Sequence, residues 1–321
     1  MGDLNPARSH PFHPTYTDSQ LSQYLHSFSF NYQDTFPHGF ALDYNQLKII
    51  QQHHLSTYPF DNLSLHYSTT HTISLDADAL FEKFVTADRG RGGYCMENNA
   101  FFGTMLRTMG YDVTSVGARV CNAINGGDGE TFGGWSHMVN IVTIADSKYM
   151  VDVGFGGSGA TAPLPLQEDD IHERIAPSSE MRLARANIKQ CTDASQRLWL
   201  YQARDTSEAA WQTQYCFTET EFLPADYAMM NFWTSQSRTS IFTQAILMAK
   251  MVMRGGEMVG AVTMFNGKVK RKVGDVVEER CCVAEKDRLE VLREWFGVKL
   301  TGEEERGIRG LVTELKGDGG T

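Results

Sequence analysis

The hydrophobic spacing of this chain changes period near Tyr111, so it needs both a helical layer and a sheet. Before that point, Ser19–Leu25 and Tyr44–Leu55 place apolar residues three and four apart, the period of an amphipathic helix. Phe101, Phe102, Met105, Leu106 and Met109 repeat the spacing on one face, and Gly110 stands where a helix C-terminal cap is expected. After it, Val113–Ala123, Ser136–Ile144 and Lys148–Gly154 read as strands, the last two joined by a short turn at residues 145–148. Leu198–Ala203 and Thr213–Thr218 add further strand candidates. Glu257–Phe265 and Lys268–Val273 flank Asn266-Gly267, the strongest hairpin signal in the chain, and Ala284–Phe296 has helical spacing. Residues 160–195, with Pro163, Pro165 and Pro177, read as a long irregular excursion. Helices, then strands, then a hairpin with a helix predict an α+β fold.

Composition narrows the classes of function. With 321 residues, 41% of them hydrophobic, the chain can bury one large core or several small ones. A formal charge of −10 disfavours nucleic acid as a partner, because phosphates require a concentrated basic surface. The one basic run, Lys268–Lys272, alternates with valine and reads as the solvated face of a strand. No stretch approaches the ~18 apolar residues of a membrane span, and the polar leading residues lack the apolar core of a signal peptide. The six cysteines (Cys95, Cys121, Cys191, Cys216, Cys281, Cys282) show neither zinc spacing nor a disulfide framework. The expectation is a reduced, cytoplasmic protein without a metal.

Cys95 differs from the other five. It follows glycine-rich Arg89–Gly93 and opens the helix described above, so N–H dipoles and Arg91 surround it with positive charge. The other cysteines read as buried structural thiols. A nucleophilic thiol also needs a base. Among ten histidines, His137 opens the alternating strand Ser136–Val142, and Asp152 lies between valines on the next strand. A carboxylate buried there requires a partner, and an imidazole whose tautomer it fixes is a suitable one. A hairpin turn over residues 145–148 puts the two on one face but four residues apart, about 13 Å at 3.3 Å per residue. A bulge or bend must close that distance.

Other motifs carry less. Gly154–Gly159 matches G-x-G-x-x-G after a strand, yet Pro163 and Pro165 follow where a dinucleotide fold needs a helix. A glycine-lined loop admitting a substrate or cofactor phosphate to backbone N–H groups, or a plain turn, fits better. His53 and His54 are neighbours that point apart on a helix, without metal spacing. The methionines between Met248 and Met264 read as core.

Arg91-Gly-Gly-Tyr-Cys-Met-Glu-Asn-Asn99 reproduces the RGGxCxExN signature of the arylamine N-acetyltransferases, which the chain resembles from about residue 20 to 300. Pro59-Phe-Asp-Asn-Leu63 resembles the family's PFENL element, with Asp61 in place of glutamate. Ser136-His-Met-Val and Val151-Asp-Val-Gly-Phe-Gly156 resemble the strands that carry its histidine and aspartate. The resemblance is to a eukaryotic, fungal-type member. It implies a cysteine-protease-like fold: a helical bundle over residues 1–110, a β-barrel over 111–226 with an insertion near 160–195, and an α/β lid over 227–321. It also implies a Cys95–His137–Asp152 triad supported by Arg91, Glu97 and Asn99. Phe60 and Phe155 are expected at the substrate, and Gly154, Gly156, Gly157, Ser235 and Ser237 at the cofactor. Acetyl-CoA, propionyl-CoA or malonyl-CoA would acylate Cys95, and an arylamine, arylhydrazine or arylhydroxylamine would then take the acyl group.

Two other readings use the same residues. A cysteine hydrolase would pass the acyl group to water, because both reactions proceed through an acyl-enzyme. A non-catalytic binding protein on this scaffold would be expected to lack a triad member, and all three are present.

Overall fold

The computed structural model describes residues 13–28, 41–175 and 178–317. The polar leader through residue 12 and Pro177 lie outside them. The helical layer comprises Asp18–His26, Tyr44–Thr57, Ala77–Phe81 with a π-helical turn Glu82–Thr86, and Cys95–Met109. Thr17, Asp43 and Asp76 start three of these helices, each side chain accepting a backbone N–H of the first turn. Their apolar stripes meet in one core in which Phe84 stacks on Phe101 with ring centroids 4.6 Å apart, beside Tyr24, Leu47, Ile50 and Met105. Gly110 ends the last helix at φ 102°, a left-handed conformation that a side chain would strain. A short strand β1 (Phe60–Asp61) interrupts this layer.

The second layer is a nearly closed, antiparallel, eight-stranded sheet. Its strands are β2 (Asp112–Cys121), β3 (Phe132–Ile144), β4 (Ser147–Val151), β5 (Leu164–Pro165), β6 (His172–Ile175), β7 (Ser179–Ala186), β8 (Leu198–Arg204) and β9 (Gln212–Glu221). They lie in the order β5-β4-β3-β2-β9-β8-β7-β6. Alternate residues (Val116, Ala118, Val139, Ile141, Tyr201, Tyr215, Phe217) fill the inside.

Two sequence expectations need correction. Residues 160–195 are not an irregular excursion: β5, β6 and β7 complete the sheet, and Met181 and Leu183 supply the period-two pattern that the prolines obscured. The β3–β4 turn is also tighter than the four-residue connection supposed. Ile144 pairs with Ser147, so only Ala145 and Asp146 form the loop, with Ala145 at φ 51°. Since Asn140 pairs with Val151, continuing the register sets Asp152 opposite Val139, two residues from His137 rather than four. Asp152 also lies just beyond the end of β4, where the backbone is released from the ladder. Beside His137 the β2–β3 register also shifts, Ala118 pairing with His137 and Arg119 with Trp135, and a side chain bridges the remaining offset.

The third unit is a five-stranded antiparallel sheet with helices. Its strands β10 (Leu247–Arg254), β11 (Glu257–Phe265), β12 (Lys268–Val273) and β13 (Val276–Cys281) run outward in that order from β1. Asn266 takes φ 53° in the β11–β12 turn, as its hairpin signal predicts. Met248, Met251, Met258 and Met264 are core residues, Lys268, Lys270 and Lys272 of β12 are exposed, and Lys270 and Arg271 stand opposite Glu279 and Glu278. Helix Glu285–Val291, continued by a π-helical turn Leu292–Phe296, covers the sheet. These three layers make the α+β, cysteine-protease-like arrangement expected from the sequence. Among the described residues no helix is long and apolar enough to cross a membrane.

Candidate active site

Cys95 is the first residue of its helix, where N–H groups lack intrahelical partners and the dipole is positive. Glu97 closes that end: its Oε2 accepts the Tyr94 N–H at 3.1 Å, and its Oε1 takes Lys83 Nζ at 2.7 Å. The glycines before Cys95 let the chain pass against neighbouring backbone. The thiol is almost fully buried and points its S–H at the Ser136 carbonyl, 3.6 Å away.

His137 follows Ser136 on β3 and is equally buried. Its Nε2 lies 2.8 Å from Asp152 Oδ2, and the imidazole also interacts with Cys95, for which Nδ1 is the nitrogen that remains. Burial alone would depress this imidazole. The Asp152 carboxylate, the hydrogen bond to it and the contact with Cys95 outweigh burial and push His137 up to about 10. Buried His54 shows the opposite result: desolvation holds it at about 3 because its partner, Asn98, is neutral.

Asp152 is held from several sides. Oδ1 accepts Asn99 Nδ2 and the Gly154 N–H, both at 2.8 Å, which leaves Oδ2 to His137. Burial would raise its carboxyl; the imidazole and these donors hold it below the usual carboxylate range. Asn99 ties the elements together. Its Nδ2 also reaches the Met138 carbonyl at 2.7 Å, and its Oδ1 accepts the Val153 N–H at 3.0 Å. One helical asparagine therefore sets both β3 and the segment after β4 against the Cys95 helix.

Arg91 does not supply charge to the thiol as supposed. Its guanidinium is committed to Asp61 Oδ1 at 3.1 Å, Ser64 Oγ at 3.2 Å and Glu304 Oε1 at 3.4 Å. Asp61, standing where the motif expects glutamate, also accepts the Gly92 N–H at 3.0 Å. The group fixes the loop that delivers Cys95.

Phe155 packs its ring edge-on to His137 at 5.1 Å, and Gly156 lies against Phe60 and Ala249. Gly154 touches Cys95 directly: a Cβ there would stand 2.7 Å from Cys95 Cα and 2.6 Å from Asn99 Nδ2. Gly154→Ala must displace the helix start or the Asp152 segment, and we expect at least a tenfold loss of Cys95 alkylation rate, measured by peptide mapping. Ser235 and Ser237 are not brought to this centre by any hydrogen bond among the described residues. Ser235 is buried in the last turn of helix Pro224–Gln236, and Ser237 caps that helix with its hydroxyl on Thr239 at 3.0 Å.

Sequence reasoning missed Tyr215. From β9 its ring meets His137 at 4.9 Å and Phe155 at 4.8 Å, and its hydroxyl interacts with Asp152. A tyrosine at an inward position of an alternating strand reads only as core, so no local signal marked it. Gln51, whose Nε2 reaches the Asp152 carbonyl at 3.3 Å from another helix, was equally silent.

A thiol at a helix start, an adjoining imidazole and a buried carboxylate hydrogen-bonded to that imidazole can form and resolve an acyl-thioester. The chain is similar to known acyl-transferring proteins. A profile of the N-acetyltransferase family matches residues 43–305. The N-malonyltransferase FDB2 of Fusarium pseudograminearum is 37% identical over 328 residues, covering 92% of this chain and 93% of its own. The structure of the arylamine N-acetyltransferase from Salmonella typhimurium superposes with a TM-score of 0.73 at 27% identity, over 90% of this chain and 97% of its own. That of Mycobacterium marinum arylamine N-acetyltransferase in complex with CoA superposes at 0.69 and 25% identity, over 86% and 97%.

Proposed function

Because the chain belongs to the arylamine N-acetyltransferase family, and is thus an acyltransferase, we propose that it moves an acyl group from acyl-CoA to an aryl nitrogen through a thioester on Cys95. The observation that carries this reading is the series Cys95–His137–Asp152, with His137 interacting electrostatically with the thiol on one side and 2.8 Å from the carboxylate on the other.

With His137 already holding the proton as an imidazolium, the Cys95 thiolate attacks the acyl-CoA carbonyl carbon. As the carbon–sulfur bond to CoA breaks, the imidazolium returns that proton to the departing CoA sulfur. An arylamine, arylhydrazine or arylhydroxylamine then attacks the Cys95 thioester. His137 accepts the proton lost from nitrogen, and Cys95 leaves as thiolate, which restores the starting pair. Asp152 stabilises the imidazolium in both halves, and Asn99 and Gly154 fix the orientation of Asp152. N–H groups at the helix start face the negative charge that develops at the acyl oxygen. Phe60 and Phe155 offer the aromatic acceptor its walls. Gly154, Gly156 and Gly157 offer the cofactor close backbone approach, as the CoA complex of the Mycobacterium marinum enzyme makes reasonable.

The similarity to an N-malonyltransferase over nearly the whole chain makes malonyl-CoA the first donor to test, ahead of acetyl-CoA and propionyl-CoA. Each donor is incubated with purified protein, and intact and peptide mass spectra are recorded before and after an aniline or hydrazine acceptor is added. One acyl group on Cys95, discharged to amide by the acceptor, is the expected result. No adduct with any donor overturns the thioester route. An adduct that discharges only to free acid makes the protein a hydrolase.

A further inference from the structure

The inward face of β9 runs from Tyr215, which contacts His137, through Phe217 to Glu219, about 13 Å along the strand at 3.3 Å per residue. Register sets Phe217 beside Trp199 on β8, and Trp199 beside Arg185 on β7. Together with Arg197, Thr218 and Thr220, these side chains line a groove of about 320 Å³ at that end of the barrel. It lies apart from Cys95.

The charges of the groove do not balance. Glu219 is partnered by Lys148 Nζ at 2.9 Å and Trp199 Nε1 at 3.0 Å. Arg197 is partnered by Glu168 at 3.1 Å and donates to the Arg185 carbonyl. Arg185 has the Glu219 carboxylate only as a longer-range counter-charge. Its guanidinium sits 5.0 Å from the centre of the Trp199 ring, it makes no ion pair among the described residues, and its Nε is buried without a hydrogen-bond partner. A buried N–H without an acceptor is unfavourable. The lining carries two guanidinium groups, Arg185 and Arg197, against the single carboxylate of Glu219.

We infer that this groove is a second binding site, taking a small oxyanion, carboxylate or phosphate, on Arg185. The planar guanidinium presents paired N–H donors that match the two oxygens of such a group. Trp199 and Phe217 form an apolar floor for the ligand's carbon skeleton.

The test uses the full chain with inorganic phosphate and, separately, benzoate at constant ionic strength. Phenylglyoxal modification is followed by peptide mass spectrometry. Either anion should slow modification of Arg185 at least fivefold while leaving exposed Arg254 unchanged in the same digest. Protection by phosphate alone or by benzoate alone identifies which oxyanion the site takes. Calorimetric affinity for the protecting anion should fall about tenfold in Arg185→Gln, the loss of a charge-assisted pair. Equal rates at Arg185 and Arg254 with both anions up to about 10 mM, the weak limit of specific binding, overturn the site. So does unchanged affinity in a folded Arg185→Gln. The footprint is read on the unmutated protein, so it stands even if the variant does not fold.

Discussion

Replacing Cys95 by serine should abolish the acyl-thioester and lower amine acylation by about 10⁴-fold or more, the scale on which loss of a triad member is felt. The hydroxyl is a far weaker acid than the thiol, and the shorter C–O bond draws it away from an imidazole positioned for sulfur. Serine is smaller and polar, so the buried site should hold its fold; an unchanged melting temperature checks this. The comparison needs peptide resolution, because Cys281 is exposed and will also react with thiol reagents, whereas Cys121, Cys216 and Cys282 are buried. A thioester formed at near-normal rate in Cys95→Ser would move the nucleophile elsewhere and end the proposed mechanism.

Asp152→Asn should be nearly as severe, about 10³- to 10⁴-fold, with the thiol intact. Asn99 Nδ2 and the Gly154 N–H both donate to Oδ1. In the variant the amide oxygen must answer those two donors, which turns the amide NH₂ toward His137 Nε2. A donor there forces the imidazole proton onto Nδ1, the nitrogen left to face Cys95, so the ring can no longer accept the thiol proton.

The same substitution has a spectroscopic consequence. In the native protein His137 is raised from 6.5 to about 10, so its contribution to stability is complete below 6.5 and is lost as pH rises through about 10. Asp152 is depressed, so its contribution is present above the ordinary carboxylate range and lost as pH falls through its lowered value. Between those limits the pair stays ionised. With the carboxylate gone, burial dominates and His137 should be neutral at pH 7. Nitrogen-15 NMR should show an imidazolium at pH 8 in the native protein and a neutral ring in Asp152→Asn. An unshifted titration would assign the raised value to another group.

Much of this site was legible because its local parts are sequence-local. The glycine-rich approach, Cys95 at a helix start and the Gly110 cap each follow from short-range geometry, and each appears in the structure, as does Glu97, which the family resemblance implied. The Asn266-Gly267 hairpin was readable for the same reason. The strands β5 to β7 were not, because prolines and short lengths hid their alternation, and only pairing with β4 and β8 makes them strands.

The sequence by itself determined which groups are available and on which kind of element each stands: a thiol on a helix start, an imidazole on a strand, a carboxylate on the next. Tertiary structure decided how they meet. The two-residue turn at Ala145-Asp146 halved the offset between His137 and Asp152, Asn99 joined three elements at one side chain, and Tyr215 and Gln51 arrived from distant segments. It also directed Arg91 to Asp61 and Glu304 instead of the thiol. Periodicity and caps are encoded within a few residues, whereas register and contact across layers depend on what the folded chain packs opposite them.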